Sequence, residues 1–392
     1  LVQPSAGVGR AAASRSFRRG CMCATAGVLG DCRARGKARH DGRRAARARR
    51  RCAIFAAPGV RSRCPHTRGR SMSMPIHLEC LSHTPLHGYV DPAPDVVAEV
   101  ERIGRAARER VERFRPDLIV VFAPDHFNGF FYDMMPPFCI GARADAIGDF
   151  KSLAGTLPVP GDLAHGLAES VLAADVDVAL SYRMQVDHGC AQALEVLTGG
   201  LDRYPVIPVF INSVAPPMAT LRRARLLGDA IGRHLARTDR RVLVVGSGGI
   251  SHEPPVPELI GATAEVAERL IAGRHPSAES RAARQARTVA AARSFAAGDS
   301  PLHPLNPEWD RAFLARLASG ELTALDGMTN DAITRDGGKS AHEIRTWVAA
   351  FAALAAYGPY HASLDYYRAI PEWIAGFATM HATSSTAVAA AA

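Results

Sequence analysis

From residue 74 onward, short apolar runs alternate with longer segments whose apolar residues recur at helical spacing. The runs at 118–122 and 206–211 are typical of buried strands, and residues 95–114 have the spacing of an amphipathic helix. Such an alternation with short connections predicts an α/β fold with a central, mainly parallel or mixed sheet flanked by helices. Further helical patterns predict a helical elaboration at the C-terminal side and cover residues 258–298, 308–326 and 341–356.

The first 73 residues differ sharply in composition from the rest. They hold 18 Lys and Arg against 2 Asp and Glu, which gives this segment a net charge of +16. The remainder carries −7, and the two together give the net charge of +9 for the whole chain. We expect residues 1–73 to be a disordered basic segment, and their composition favours translation from a misassigned start. A genuine basic arm and an organellar transit peptide are the alternatives. We expect one catalytic domain at 74–383 and a disordered tail at 384–392.

Charge and cysteine content also narrow the partners and the compartment. The remainder of the chain is mildly acidic, so we expect no nucleic-acid partner for it. Only Cys80, Cys139 and Cys190 lie outside the basic segment. Three scattered cysteines do not form a disulfide framework, and so few are typical of a protein in a reducing compartment. No apolar run reaches the roughly 18 residues of a membrane span. The sequence therefore predicts a cytoplasmic protein without a membrane partner.

Four histidines share one placement, each at or near the C-terminal end of an apolar run. Ligands of open α/β sheets bind at the carboxyl ends of the strands, and imidazole both binds mid-row metals and exchanges protons near pH 7. The pattern predicts a shared metal or acid–base site, although any one such histidine is more often an ordinary turn residue. The histidines are His83, His126, His188 and His252, after runs at 77–81, 118–122, 176–182 and 241–245.

A non-haem iron site needs a carboxylate beside two histidines, and the candidate is Glu343. Ser340 and Glu343 also form the S-x-x-E pattern of a capping box before an apolar helix, and this pattern alone favours the cap. The glycine-rich stretch 246–249 resembles phosphate-binding loops, but it lacks the glycine spacing and the lysine that such loops need. The residues alone thus leave the role of Glu343 open.

Several separated stretches are similar to the class III extradiol dioxygenases, the family of protocatechuate 4,5-dioxygenase. The resemblance covers about 74–381 and none of the basic segment. It implies that His83, His126 and Glu343 bind Fe(II), that His188 is a proton donor and that His252 is a proton acceptor. The stretches are 80–86, 122–133, 184–189, 246–252, 338–347 and 366–373.

The resemblance also implies the activity. We expect O2-dependent opening of a catechol that bears a propionate or propenoate side chain, in a homo-oligomer. The product would be a 2-hydroxy-6-oxo-dienedioate. The side-chain carboxylate needs a cationic or amide-rich partner, for which Arg183, Arg345 and Arg368 are candidates that the sequence does not separate.

Three alternatives to this activity stay open. One is an enzyme of the same family for another catechol, such as protocatechuate. Another is a zinc-dependent hydrolase that uses the same histidines. The third, from a different class, is a non-catalytic metal- or nucleic-acid-binding protein that depends on the basic segment.

Overall fold

The computed structural model describes residues 74–384, so the expectations for 1–73 and for the tail beyond Ser384 lie outside the described residues. The strands are β1 (Ile76–Leu81), β2 (Leu118–Ala123), β3 (Phe138–Gly141), β4 (Ala144–Ile147), β5 (Ala154–Thr156), β6 (Ala179–Ser181), β7 (Met184–Val186), β8 (Val206–Ile211), β9 (Val242–Ser247), β10 (Tyr360–Ile370) and β11 (Ala375–Ser384). The helices are α1 (Pro94–Phe114), α2 (Gly161–Leu172), α3 (His188–Thr198), α4 (Leu221–Leu235), α5 (Ala264–Ala272), α6 (Ala278–Ala296), α7 (Pro307–Ser319), α8 (Asn330–Gly337) and α9 (Ile344–Ala355).

Eight strands form the central sheet in the order β10-β11-β1-β9-β2-β8-β3-β6, and β5-β4-β7 form a smaller second sheet. Strands β1, β9, β2 and β8 are parallel to one another, whereas β11 pairs with β1 and β3 pairs with β8 in antiparallel fashion. The sheet is therefore mixed with a parallel centre. The predicted fold class is confirmed.

The four central parallel strands are buried along their whole length, because helices cover both faces of the sheet. Alternate residues point to opposite sides. Val120 and Phe122 pack in the core cluster that contains α2, α4 and α9, and Ile119 and Val121 pack in the cluster that contains α1 and α3. Burial on both faces explains why β2, β8 and β9 read as mainly apolar runs, whereas β1 also contains the buried polar residues His77 and Glu79.

Helix α9 lies very close to α4. A Cβ atom added at Gly228 or Gly232 of α4 would collide with the backbone carbonyls of Ala349 and Ala353 on α9. Because α9 also packs on β9, this close approach fixes the residues that precede α9 over the carboxyl end of the central strands. Glu343 is one of those residues.

Two features of the fold differ from the sequence predictions. The run at 176–182 forms only the short β6, and the strand directly before His188 is β7, which belongs to the second sheet. No element was predicted for residues 360–384, which form a long β10–β11 hairpin with β11 hydrogen-bonded to β1. Most positions of strand β10 are half-buried or exposed and many of its residues are polar, so its sequence lacks an apolar run.

The predicted helical stretch at 258–298 forms as two helices, α5 and α6, separated by a segment that contains Gly273 and Pro276. Residues 308–326 form α7 and a short 3₁₀ helix (Leu322–Gly327). Among residues 74–384, no helix combines the length and the apolar character that crossing a membrane requires.

Candidate active site

The carboxyl ends of three neighbouring parallel strands meet at one edge of the sheet. His83 follows β1, His126 follows β2 and His252 follows β9, and these strands pair in the order β1-β9-β2. His188 reaches the same place from a different element, because it is the first residue of α3. All four imidazoles line one cavity of about 690 Å³. The structure thus brings together the four histidines selected from the sequence.

Glu343 lies at the centre of this group. Its Oε1 is 3.0 Å from His126 Nε2 and 3.3 Å from His252 Nε2, and its Oε2 is 3.7 Å from His83 Nε2. The imidazole ring of His188 stacks on that of His126 with 4.6 Å between ring centroids. All five residues predicted for the site therefore share one location.

The capping-box interpretation of Ser340 and Glu343 does not hold in the structure. Neither side chain makes a capping hydrogen bond at the start of α9 or of the 3₁₀ turn before it. The carboxylate of Glu343 instead accepts a hydrogen bond from Gly249 N at 2.9 Å and faces the imidazoles. Its position is that of a site residue.

Two glycines make room for this arrangement. A Cβ at Gly248 would lie 2.8 Å from Glu343 Cβ, and a Cβ at Gly249 would lie 2.6 Å from Nδ1 of His252. The glycine-rich stretch after β9 thus serves the close approach of a carboxylate and an imidazole. The stretch lacks the lysine and the glycine spacing of a phosphate-binding loop.

Hydrogen bonds fix which nitrogen of His83 and which nitrogen of His126 face the carboxylate of Glu343. Ser247 Oγ donates to the Gly189 carbonyl, so it accepts from His83 Nδ1, which lies 3.0 Å away. Asp187 Oδ2 accepts from His126 Nδ1 at 3.0 Å. When Nδ1 carries the proton, Nε2 of a neutral imidazole carries a lone pair. The Nε2 lone pairs of His83 and His126 then point to the same place as the carboxylate of Glu343.

Such a set of acceptors needs a cation. Within residues 74–384 no Lys or Arg forms an ion pair with Glu343, whose side chain is fully buried. Burial raises the pKa of Glu343, but the imidazoles of His252 and His83 outweigh burial and hold the pKa well below its usual range. A buried carboxylate ion faced by imidazole nitrogens is a donor set that fits a divalent transition metal.

The pKa values of His83 and His126 shift in opposite directions. Burial lowers the pKa of His83 to about 3, so its imidazole is neutral and can act as a ligand. Burial also lowers the pKa of His126, but the carboxylates of Asp187 and Glu343 outweigh burial and raise it well above its ordinary value. The space between Asp187 and Glu343 thus favours a positive charge, which a proton or a metal ion can supply.

His188 is held by a carboxylate that the sequence did not suggest. Asp149 Oδ2 lies 2.6 Å from His188 Nδ1, and Asp149 Oδ1 accepts from the backbone N–H of His188. The ligand atoms of His83, His126 and His188 lie within 4.8 Å of one another. Distance alone therefore allows His188 as well as Glu343 to complete a metal site with the two other imidazoles.

A buried polar network lies behind His252. Asp310 of α7 accepts hydrogen bonds from the backbone N–H and the hydroxyl of Ser251 and from the hydroxyl of Tyr367 on β10. Burial raises the pKa of Asp310 to about 6. The network connects the residue before His252 to the C-terminal hairpin.

The loop at 126–128 is fixed by residues from several elements. Asp125 accepts from the backbone N–H groups of Asn128, Gly129 and Phe130, which is the turn role expected of an aspartate. Arg284 of α6 donates to Asn128 Oδ1 at 2.5 Å and to the His126 carbonyl at 3.4 Å. No sequence pattern pointed to Arg284, because it lies far along the chain in a helix without a strong apolar face.

The arginines considered for the substrate carboxylate do not line the cavity. Arg345 is fully buried and donates to the Ala219 carbonyl, to His342 and to Asn330, so its role is structural. Arg183 and Arg368 are also absent from the cavity wall. The wall instead contains four other arginines, namely Arg269, Arg281, Arg284 and Arg287.

Comparison with known proteins gives one consistent result. The family model of the catalytic LigB subunit of aromatic ring-opening dioxygenase matches residues 77–378. A protein of Cupriavidus pinatubonensis, named 2,3-dihydroxyphenylpropionate/2,3-dihydroxicinnamic acid 1,2-dioxygenase, is 85% identical over 309 residues, which are 79% of this chain and 98% of the relative. Proteins of the same name from Paraburkholderia xenovorans and Azotobacter vinelandii are 79% and 57% identical over 309 residues, again 79% of this chain and 98% and 99% of the relatives.

The fold, the site and these matches define an extradiol catechol dioxygenase, an enzyme that depends on a metal and acts on a catechol and O2. The chain belongs to the family of the catalytic LigB subunit of aromatic ring-opening dioxygenases. The resemblance found in the sequence motifs is thereby confirmed at the level of the family.

Proposed function

We propose that this enzyme opens the rings of 3-(2,3-dihydroxyphenyl)propionate and 2,3-dihydroxycinnamate by extradiol cleavage with Fe(II) and O2. The products would be 2-hydroxy-6-oxonona-2,4-dienedioate and its triene analogue. The observation that carries the proposal is the convergence of two imidazoles and a buried carboxylate beside two further imidazoles. The names of the relatives support this choice of substrates over protocatechuate.

We assign His83, His126 and Glu343 as the residues that hold the ferrous ion. The carboxylate of Glu343 is preferred to His188 as the third ligand because a fully buried anion needs a cation, whereas His188 already has a carboxylate partner in Asp149. When bound, Fe(II) would supply open coordination positions for a catechol and O2 and a redox centre that passes electrons from the catechol to O2.

His252 is proposed as the proton acceptor. It lines the cavity, and its Nε2 lies beside Glu343, next to the proposed ligands. A catechol that enters the cavity presents its hydroxyl protons there, and an imidazole close to them acts as general base. Removal of this proton converts the neutral diol into the anion that binds a cationic centre more strongly.

His188 is proposed as the proton donor. Asp149 accepts from its Nδ1, which fixes the orientation of the ring beside His83 and His126 and leaves Nε2 free of this contact. A protonated His188 can then give a proton from Nε2 to an oxygen atom of the reacting substrate. The same carboxylate fixes the orientation of the ring before and after the transfer.

Apolar side chains also line the cavity. Phe127, Phe150, Leu270 and Trp373 contribute apolar side chains to the wall on which the imidazoles lie. An apolar wall suits an aromatic ring and raises the strength of the electrostatic interactions inside the site.

We propose further that the catalytic domain spans residues 74–383 in a cytoplasmic homo-oligomer, a homotetramer.

Oxygen uptake tests the proposal. Protein purified without oxygen is loaded with Fe(II) or with Zn(II), and the propionate catechol or protocatechuate is added. We expect oxygen consumption and a yellow ring-opened product with Fe(II) and the propionate catechol. Preference for protocatechuate would contradict the proposed substrate, and hydrolytic activity with Zn(II) that needs no O2 would contradict the whole assignment.

A further inference from the structure

The wall of the cavity is positively charged on the side opposite the sheet. Four arginines and only one acidic residue, Glu265, line it. Three of the arginines belong to α6, on which Arg281, Arg284 and Thr288 occupy one helical face that points into the cavity. A cavity that ends in such a wall suits a ligand with an anionic group remote from its catechol ring.

The arginines of α6 are not equivalent. The guanidinium of Arg284 is already engaged with Asn128 and with the backbone carbonyls of His126 and Phe127. In contrast, the guanidinium of Arg281 forms no hydrogen bond or ion pair with any residue in the described range 74–384, although its side chain is half-buried. Donors that are partly withdrawn from water and lack a partner are available to a ligand.

Helix α6 places Arg281 close to Arg284. Arg281 precedes Arg284 by three residues and therefore lies about one helical turn, roughly 5 Å along the axis, from it. Arg284 contacts the loop that carries His126. His126 and Arg281 line the same cavity, so a catechol held beside His126 would share that cavity with the guanidinium of Arg281.

We propose that Arg281 binds the side-chain carboxylate of the substrate and thereby makes the enzyme selective for catechols with a propionate or propenoate group. The planar guanidinium binds a carboxylate through two parallel hydrogen bonds, which lysine cannot reproduce. Arg287 is exposed at the mouth of the cavity and adds positive charge without a fixed contact. This inference rests on the proposed function.

The test compares two catechols that differ only in charge. Wild type and Arg281→Gln are assayed with 3-(2,3-dihydroxyphenyl)propionate and with 3-propylcatechol, whose side chain is uncharged. We expect Arg281→Gln to lower kcat/KM for the propionate catechol about 10- to 100-fold, mainly through KM, because a hydrogen-bonded ion pair is lost. The value for 3-propylcatechol should not change, and Arg281→Lys should recover part of the loss.

Controls separate this role from others. Arg293→Gln changes an exposed arginine of the same helix that does not line the cavity, and it should behave like wild type. The content of bound iron should be unchanged in every variant. A selective loss in Arg269→Gln instead of Arg281→Gln, or an equal loss of both substrates in Arg281→Gln, would overturn the proposal.

The failure of the inference and the failure of the proposed function give different results. If wild type opens both catechols with equal kcat/KM, carboxylate recognition by Arg281 is refuted and ring opening stands. If wild type opens neither catechol, the proposed function fails, and the assignment of Arg281 fails with it.

Discussion

Three histidines of this site are each oriented by a hydrogen bond at Nδ1, on the side of the ring away from the cavity. His83 uses Nδ1 to contact Ser247, His126 uses Nδ1 to contact Asp187, and His188 uses Nδ1 to contact Asp149. Each bond fixes a tautomer and a ring orientation, so that Nε2 remains for the cavity. The chemistry of the site therefore depends on oxygen atoms that never meet the substrate.

Replacement of Asp149 by Asn tests this dependence. We expect Asp149→Asn to lower kcat roughly 10- to 100-fold, because His188 loses the carboxylate that orients its ring for proton transfer. His188→Ala should lose roughly 10²- to 10⁴-fold. Bound iron, measured by elemental analysis, should stay at the wild-type level in both variants. Loss of iron in His188→Ala would show that His188 is a ligand.

Glu343→Gln tests the carboxylate ligand. The change preserves shape and removes the negative charge at the centre of the imidazoles, so we expect the iron content to fall to a small fraction of wild type. A residue that only started a helix would instead keep its iron and cost about 0.5–2 kcal/mol of stability. Elemental analysis and urea unfolding of the same preparation decide between the two results.

The sequence predicted side chains of the site when they lay inside short motifs, and it missed them when they did not. His83, His126, His188, His252 and Glu343 each belong to a distinctive stretch. Asp149 lies in a loop with no sequence pattern of its own, and it contacts His188, which is 39 positions further along the chain. Arg281 lies in a helix that is rich in alanine and arginine. Contacts across elements depend on tertiary packing, which a motif does not encode.

Among the elements, α9 has the most demanding fit. It packs on α4 through Gly228 and Gly232, and its N-terminal end holds Glu343 beside Gly248. Small residues on α4 let the two helix backbones approach, and the position of the carboxylate follows from that approach. Packing between two helices thus sets the geometry of the site.

The helix contact predicts opposite effects for two glycine substitutions. Gly228→Ala should lower the free energy of unfolding by about 1–3 kcal/mol, because the new methyl group meets the backbone of Ala349. Gly166→Ala in α2 has open space around it and should raise stability by about 0.5–1 kcal/mol, since alanine favours a helix. Urea unfolding measures both, and equal effects would contradict the close packing.

Elements buried on both faces were predictable, and elements with one exposed face were less so. Strands β1, β2, β8 and β9 read directly from apolar runs, because both of their faces are covered. The β10–β11 hairpin was missed because β10 mixes polar and apolar residues. The strand before His188 was misplaced, since β7 has only three residues.

Across the whole molecule, Asp310 connects α7, the loop before His252 and strand β10. Burial raises its pKa to about 6, so the folded state binds this proton more tightly than the unfolded state. The stability that the bound proton contributes is fully present below about pH 4 and is lost as the pH rises to 6. Tyr367 and His252 are the other titratable groups that face it.

Asp310→Asn should therefore change the pH dependence of stability. The variant resembles the protonated side chain, so its free energy of unfolding should gain on that of wild type by up to about 3 kcal/mol between pH 4 and pH 6. Above pH 6 the difference should stay constant. Urea unfolding at several pH values provides the measurement, and parallel curves would rule out a raised pKa for Asp310.

Removal of residues 1–73 tests the proposed extent of the catalytic domain. The family model begins at residue 77, and every residue of the proposed site lies beyond that point. We expect the shortened protein to keep its kcat, its KM and its iron content. A nucleic-acid-binding role of the basic segment would appear as salt-sensitive retention on DNA that the deletion abolishes.

The position of Glu343 along the chain has a consequence for biosynthesis. Its partner His126 is 217 residues earlier, and strand β11, which lies between β10 and β1 in the sheet, is the last described element. A ribosome-bound chain that ends before residue 343 carries both imidazoles but no acid to join them. On the assignment proposed above, a stable metal site therefore forms only after residue 343 has been translated, and products that terminate earlier should fail to retain the metal.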